Sequence, residues 1–301
     1  MELNKFAAVI LEGVQNILGK EVHASVITSV KNNSVERTGI LFEMKDAKIT
    51  PKIYIDDLYL EYMENNMKVG EIVEEVIDRY KKSVNAVQDF GCMSIDYDTC
   101  KERIIYRLVS RERNKALLEH VPYIPFMDMA ITFHLIIKVN SSYIQSLKIG
   151  KDLQKKWNIS TSQLYKLAKQ NTKRILPEEI GELNHFVAKY MNIRENNRDP
   201  EEDLTNKEKI DMIVVSNEFG LNGASVILYD GVVEKIAEKY DSDLYLIPSS
   251  IHEMIVIPAK NRDMYDLFQF MLTDINEKFV GKEEILSDKV YIYNKNEKKF
   301  I

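Results

Sequence analysis

Two hydrophobic periods alternate along the chain. Leu3, Phe6, Ile10, Val14, Ile17 and Leu18 recur at helical spacing, so residues 2–18 are expected to form an amphipathic helix closed by Gly19. Residues 22–30 and 38–44 are rich in β-branched side chains and read as strands, with Asn32-Asn33-Ser34 turning between them. Residues 51–55 make a short third strand. After Asp56 and Asp57 the helical period returns in Leu58, Leu60, Tyr62 and Met63. Beyond Gly70 it resumes in Ile72, Val73, Val76, Ile77 and Tyr80. The pattern predicts an N-terminal α+β unit over residues 1–90.

The remainder reads as one theme stated twice. Residues 104–109 are a strand, 111–120 a short helix, 129–139 a strand and 143–149 its hairpin return, with helices following to Arg174. Residues 224–229 are again a strand, 231–240 a helix, 243–247 a strand and 252–257 its return. Met264, Leu267, Phe268, Met271, Leu272 and Ile275 then line one face of a long helix. Both stretches run β-α-β-β-α, which predicts two related units over residues 91–191 and 210–301, with 104–174 superposing on 224–278. Residues 212–216 are a further strand leading to Asn222-Gly223, a hairpin signal. Residues 290–293 and 299–301 form a terminal hairpin in the second unit. Residues 192–209 are charged, poor in large apolar side chains, and read as a linker. The expected class is α+β, with helices packed on antiparallel, hairpin-built sheets.

Composition narrows the partners. The 301 residues are 45% hydrophobic and 29% charged, ordinary for a globular chain of about two domains. A net charge of -6 provides no general field for polyphosphate, so a nucleic-acid partner would need a local basic patch. The two cysteines, Cys92 and Cys100, suit reduced thiols in a cytoplasmic protein. No signal peptide opens the chain and no run reaches the ~18 apolar residues of a membrane helix, so no membrane association is expected.

Candidate chemistry is sparse. His23, His120, His134, His185 and His252 show no metal-ligand spacing, so no metal is expected. No Gly-rich phosphate loop occurs: Gly220-Leu-Asn-Gly223 reads as a hairpin turn, and no cofactor is expected. Ser250 and His252 stand two apart on a possible strand edge, the start of a nucleophile–base pair, though no elbow motif surrounds them. The expectation is that both are structural: Ser250 in a turn after Pro248, His252 opening a buried return strand. Residues 148–174 carry eight basic side chains against one acid, Asp152. They outline a helix-turn-helix, with Thr161 or Ser162 capping the second helix. Lys155, Lys156, Gln163, Lys166, Lys169 and Lys173 would be available to nucleic acid. The alternative is a packed helix pair, with Trp157, Leu164 and Leu167 inward and acids from residue 178 onward neutralising the patch.

Residues 247–258 (IPSSIHEMIVIP) and 223–233 (GASVILYDGVV) are similar to an uncharacterised bacterial family from anaerobic Gram-positive species, known only as a domain of unknown function. Residues 106–115, 125–130 and 289–293 extend the resemblance over essentially the whole chain. A more distant likeness links the strand-helix-strand region to another uncharacterised, Bacillus-type family. Neither resemblance implies an activity, cofactor or catalytic residue. The leading expectation is a non-enzymatic cytosolic binding or regulatory module with an unknown protein or small-molecule partner. The alternatives are nucleic-acid binding through residues 148–174 and a hydrolase using Ser250 and His252.

Overall fold

The first helix, α1 (Leu3–Leu18), turns Phe6, Ala7, Ile10 and Val14 inward. Gly19 closes it at φ 70°, with its N–H on the Gln15 carbonyl. The Gln15 side chain donates to the Val22 carbonyl and accepts the Ala24 N–H, which ties the start of β1 (His23–Val30) to the helix. β1 pairs antiparallel with β2 (Glu36–Glu43), and β2 with β3 (Lys52–Tyr54). Helices α2 (Asp56–Met63) and α3 (Val69–Gly91) complete the layer. Ile40 and Phe42 meet Phe6, Ile10, Ile72 and Val76 in one core, and Phe42 stacks on Tyr80 at 4.2 Å. A short turn of helix, α4 (Tyr97–Cys100), follows.

This computed structural model describes residues 1–19, 22–43, 50–91, 95–140, 143–184, 211–260 and 264–301, with the backbone alone for 85–91. The expected linker 192–209, His185 and Cys92 lie outside the described residues. The chain divides into two units, Met1–Thr99 and Cys100–Ile301. Cys100 is buried. Among the described residues no helix is long and apolar enough to cross a membrane.

The second unit holds two antiparallel sheets. The strands of one are β4 (Ile104–Ser110), β5 (Tyr123–Phe126), β6 (Met129–Val139) and β7 (Ile144–Lys148). β6 runs between β4 and β5, and its far half pairs with β7. The other comprises β8 (Glu178–Glu182), β9 (Ile213–Asn217), β10 (Leu244–Ile247), β11 (Met254–Pro258), β12 (Tyr291–Asn294) and β13 (Lys299–Phe300). Their order is β13-β12-β10-β11-β9-β8. Helices α5 (Lys115–Leu118), α6 (Lys151–Lys156), α7 (Thr161–Ile175), α8 (Val232–Tyr240) and α9 (Tyr265–Lys278) connect the strands. The class is α+β. β4-α5-β5-β6 and β9-α8-β10-β11 share one connectivity: in each, the third strand lies between the first two and runs antiparallel to both.

The second of these sets starts earlier than the pattern predicts. Residues 224–229 are not a strand: Gly223–Leu228 is a buried 3-10 helix, and β9 supplies the strand instead. Nor does Asn222-Gly223 turn a hairpin. Asn222 takes φ 55°, and Gly223 is wedged so closely that a Cβ there would stand 2.5 Å from the His252 carbonyl oxygen and 2.7 Å from Asn217 N. The 3-10 helix seals β4. Ser225 Oγ accepts the Leu108 N–H at 3.0 Å, and Thr172 Oγ1 of α7 accepts the Tyr106 N–H at 3.0 Å. Asn171 Nδ2 donates to the Ile104 carbonyl at 3.0 Å. The outer edge of β4 thereby meets side chains rather than another strand.

α9 also departs from expectation. Its apolar residues do not share one buried face: Phe268 and Leu272 point into the core, while Leu267, Met271 and Ile275 are exposed. Successive helical residues are separated by about 100°, so these are two adjacent stripes, and the sheet beneath covers one.

Candidate functional site

Ser250 and His252 lie in the turn between β10 and β11. The return strand opens at Met254, two residues later than expected, and the His252 side chain keeps 27% exposure. His252 N–H donates to Ser250 Oγ at 2.9 Å, a local serine turn. The imidazole Nδ1 accepts the Asn222 N–H at 3.2 Å, and Nε2 faces Glu284 Oε1 at 3.5 Å. With Nδ1 accepting, the neutral ring carries its proton on Nε2. The His252 carbonyl accepts from Ser216 Oγ at 2.8 Å, and Ser249 Oγ donates to Glu253 at 2.8 Å. The ring nitrogens thus engage Asn222 and Glu284, not the Ser250 hydroxyl. This arrangement ties β9, the 3-10 helix and the turn together, and it does not form the nucleophile–base contact of a hydrolase.

The basic segment folds as α6 and α7 joined by a turn at Asn158, φ 52°. Ser160, not Thr161 or Ser162, caps α7. Its Oγ accepts the Gln163 N–H at 3.2 Å, and Gln163 Oε1 accepts the Ser160 N–H at 2.7 Å, a reciprocal capping box. Gln163 is thereby occupied. Trp157 and Leu164 are buried and Leu167 is half-buried. Lys169 pairs with Asp230 at 2.6 Å, Lys173 with Glu178 at 3.1 Å and Arg174 with Glu102 at 3.6 Å. Lys155, Lys156 and Lys166 remain exposed. A shallow cleft of about 290 Å³ lies beside Tyr123, Lys151, Gln154, Lys155 and Thr161.

A polar group inside the first sheet was not anticipated from the sequence. Arg107 on β4 is opposite Thr132 on β6; the next pair on that face is Ile105 and His134, and Lys148 of β7 is opposite His134. Successive side chains alternate between faces, so Arg107, Thr132, His134 and Lys148 share one. The Thr132 hydroxyl donates to the Arg107 carbonyl at 3.4 Å and lies 3.1 Å from His134 Nε2, which is left to donate to it. Burial, then the Arg107 and Lys148 charges, hold the His134 imidazole well below its usual range, so it is neutral. Arg107 as a residue is half-buried, but its guanidinium Nε and Nη2 are sealed from solvent and lack a hydrogen-bond partner. Burial draws that guanidinium down to about 10. It remains charged, and leaving such donors unpaired costs about 1–3 kcal/mol or more.

A second unanticipated cluster joins Asp128, Ser287 and Tyr291. Ser287 Oγ donates to Asp128 at 2.8 Å and lies 2.7 Å from the Tyr291 hydroxyl, which itself donates to Asp128. Ser287 also accepts the Lys289 N–H at 3.0 Å. Burial, then the Asp128 carboxylate, raises the Tyr291 phenol. The serine is fully engaged, so the cluster acts as a latch between the β5–β6 turn and β12.

A family model described as a family of unknown function matches residues 3–295. The chain belongs to DUF5688. No curated protein matches it, and no solved structure does. The DUF5688 match takes in both units. Arg107, His134, the Ser250–His252 turn and α9 therefore all fall within the span of the family.

The outer side of α9 is an exposed apolar feature of this DUF5688 member. Phe270 is 70% exposed and Phe279 78%, with Leu267, Met271 and Ile275 beside them. Asp266 and Glu277 flank the stripe, and Asp274 pairs with Lys278 within it.

Proposed function

We propose that the chain is a non-enzymatic binding module of a bacterial cytosol that docks a protein partner along α9. The exposed aromatic and aliphatic side of that helix carries this reading. Burying one such side chain stabilises by about 1.5–3 kcal/mol, and contiguous exposed apolar surface commonly marks an interaction site. The acidic flank of Asp266 and Glu277, with Lys278 neutralised by Asp274, suits an apolar groove with a basic rim. The occupied His252 ring and the Ser250 turn favour binding over hydrolysis. The bacterial and cytosolic parts rest on the family resemblance and on the low cysteine count. Site-specific photo-crosslinking tests the proposal. Benzoylphenylalanine in place of Phe270 is expected to give a discrete protein adduct in cells, and the same probe at Leu60, which is 60% exposed on α2, none. No adduct at 270, or the same adducts at both positions, would refute it.

A further inference from the structure

We propose that Arg107 anchors an anion-binding site on one face of the β4–β6–β7 sheet, taking a small carboxylate or phosphate. This goes beyond docking along α9 and does not depend on it. Nε and Nη2, the two unpartnered nitrogens, lie on the same edge of the guanidinium. Their N–H groups form a parallel fork whose spacing matches two oxygens of one carboxylate or phosphate. Among the described residues no carboxylate forms an ion pair with Arg107. The groups sharing its face are Tyr123, Thr132, the neutral His134, Ser146 and Lys148, with apolar Ile105, Val109 and Ala130 around them. The face is therefore positive and holds no internal anion to satisfy the fork.

The position itself needs no arginine for folding. Ile104-Ile-Tyr-Arg-Leu-Val109 is otherwise an apolar strand, and an uncompensated cation there is unfavourable unless something pairs with it. Ile105 and Ile136 pack with Leu176 on one side, and Val109 and Ala130 with Leu118 and Val121 on the other. Arg107 stands between these apolar clusters, which would screen a bound anion from water and strengthen its pairing. Because the residue as a whole is half-buried, rotation about its flexible stem can carry the fork to the sheet surface, where an anion enters. The Thr132 hydroxyl is the adjacent group able to reorient and donate a further hydrogen bond.

The test uses the full ¹⁵N-labelled chain. The Arg107 Nε–H resonance is assigned by its loss in Arg107→Met, a variant expected to fold because it replaces an unpaired cation with an apolar side chain of similar reach. Sodium phosphate and, separately, sodium acetate are titrated at ionic strength held constant with chloride. One or both should move that resonance saturably, with half-saturation at roughly 1–10 mM, as suits one charged fork with few other contacts. A response to phosphate alone assigns the phosphate class, and to acetate alone the carboxylate class. The responding anion should also raise the melting temperature of the wild type but not of Arg107→Met. Arg107→Lys, which keeps the charge without the fork, should lose most of the response. A non-saturating shift with both anions, or an equal thermal gain in wild type and Arg107→Met, would overturn the site.

Discussion

The Leu108 N–H ends on Ser225 Oγ, 3.0 Å away and 117 residues along the chain. A strand at the margin of a sheet normally leaves a row of donors open to any passing strand. On β4 the alternate donor, Tyr106 N–H, is closed in the same way by Thr172. Two hydroxyls from two helices thus take the place of a neighbouring strand.

Removing either hydroxyl should be costly out of proportion to its size. Ser225→Ala leaves the buried Leu108 N–H without an acceptor, and Thr172→Val does the same to Tyr106. Each is expected to lower stability by about 1–3 kcal/mol, read as a lower urea midpoint at unchanged slope. A midpoint within error of wild type would mean that water replaces the hydroxyl.

The Ser250–His252 turn gives a second contrast. His252→Ala removes the acceptor for Asn222 N–H and the contact to Glu284, so a loss of about 1–3 kcal/mol is expected. Ser250→Ala removes one local hydrogen bond and should cost about 0.5–1.5 kcal/mol. A serine-reactive phosphonate should leave Ser250 unlabelled. Labelling that disappears in both variants, with melting temperatures unchanged, would restore the hydrolase reading.

His134 should make stability depend on pH. Its folded-state value lies well below the ordinary one, pushed there by burial and by Arg107 and Lys148. Between the two values the unfolded chain binds the extra proton, so this contribution is complete above about pH 6.5 and is lost as pH falls. The expected loss is about 1 kcal/mol per pH unit below about 6. Urea melts from pH 7 to 5 should show this slope in wild type and a shallower one in His134→Gln. Parallel slopes would place the titration elsewhere.

The helix pair α6–α7 should bind duplex DNA poorly. Gln163 is held in the capping box, and Lys169, Lys173 and Arg174 have acidic partners within the fold. Anisotropy with a random duplex is expected to show no saturation below about 100 μM at physiological salt, the weak end of non-specific association. Micromolar binding that collapses as salt rises would favour the nucleic-acid alternative, with Lys155, Lys156 and Lys166 as its first contacts.

Much of the architecture was legible because it is periodic. The apolar run of residues 129–139 predicts one strand, and β6 is Met129–Val139. The terminal hairpin and the closure of α1 at Gly19 were equally plain. The 3-10 helix at Gly223–Leu228 was not, because it is packed against β4 and β9 and shows the unbroken apolar run of a buried strand. The spacing Ser160-x-x-Gln163 carries the capping-box signal, one and two residues before the Thr161 and Ser162 that also suit a cap. On α9 the sequence pattern picks out Leu267, Phe268, Met271, Leu272 and Ile275 but not Phe270, and it does not say how wide a stripe the sheet covers. The polar face had a signal too: Arg107 and His134 are isolated polar residues in otherwise apolar strands. Their shared face follows from the β4–β6 register, which no local pattern encodes.

The 117-residue separation between Leu108 and Ser225 also sets a schedule for synthesis. β4 leaves the ribosome long before the serine that completes its edge. At the usual rates of translation that interval is about 6–23 s, far longer than a hairpin needs to form. Throughout it the Leu108 donor has no acceptor, even after Thr172 has closed Tyr106, and a chaperone or a neighbouring nascent chain could engage that stretch of the margin. Slow codons between positions 108 and 225 would lengthen that exposure, whereas slow codons after 225 would not.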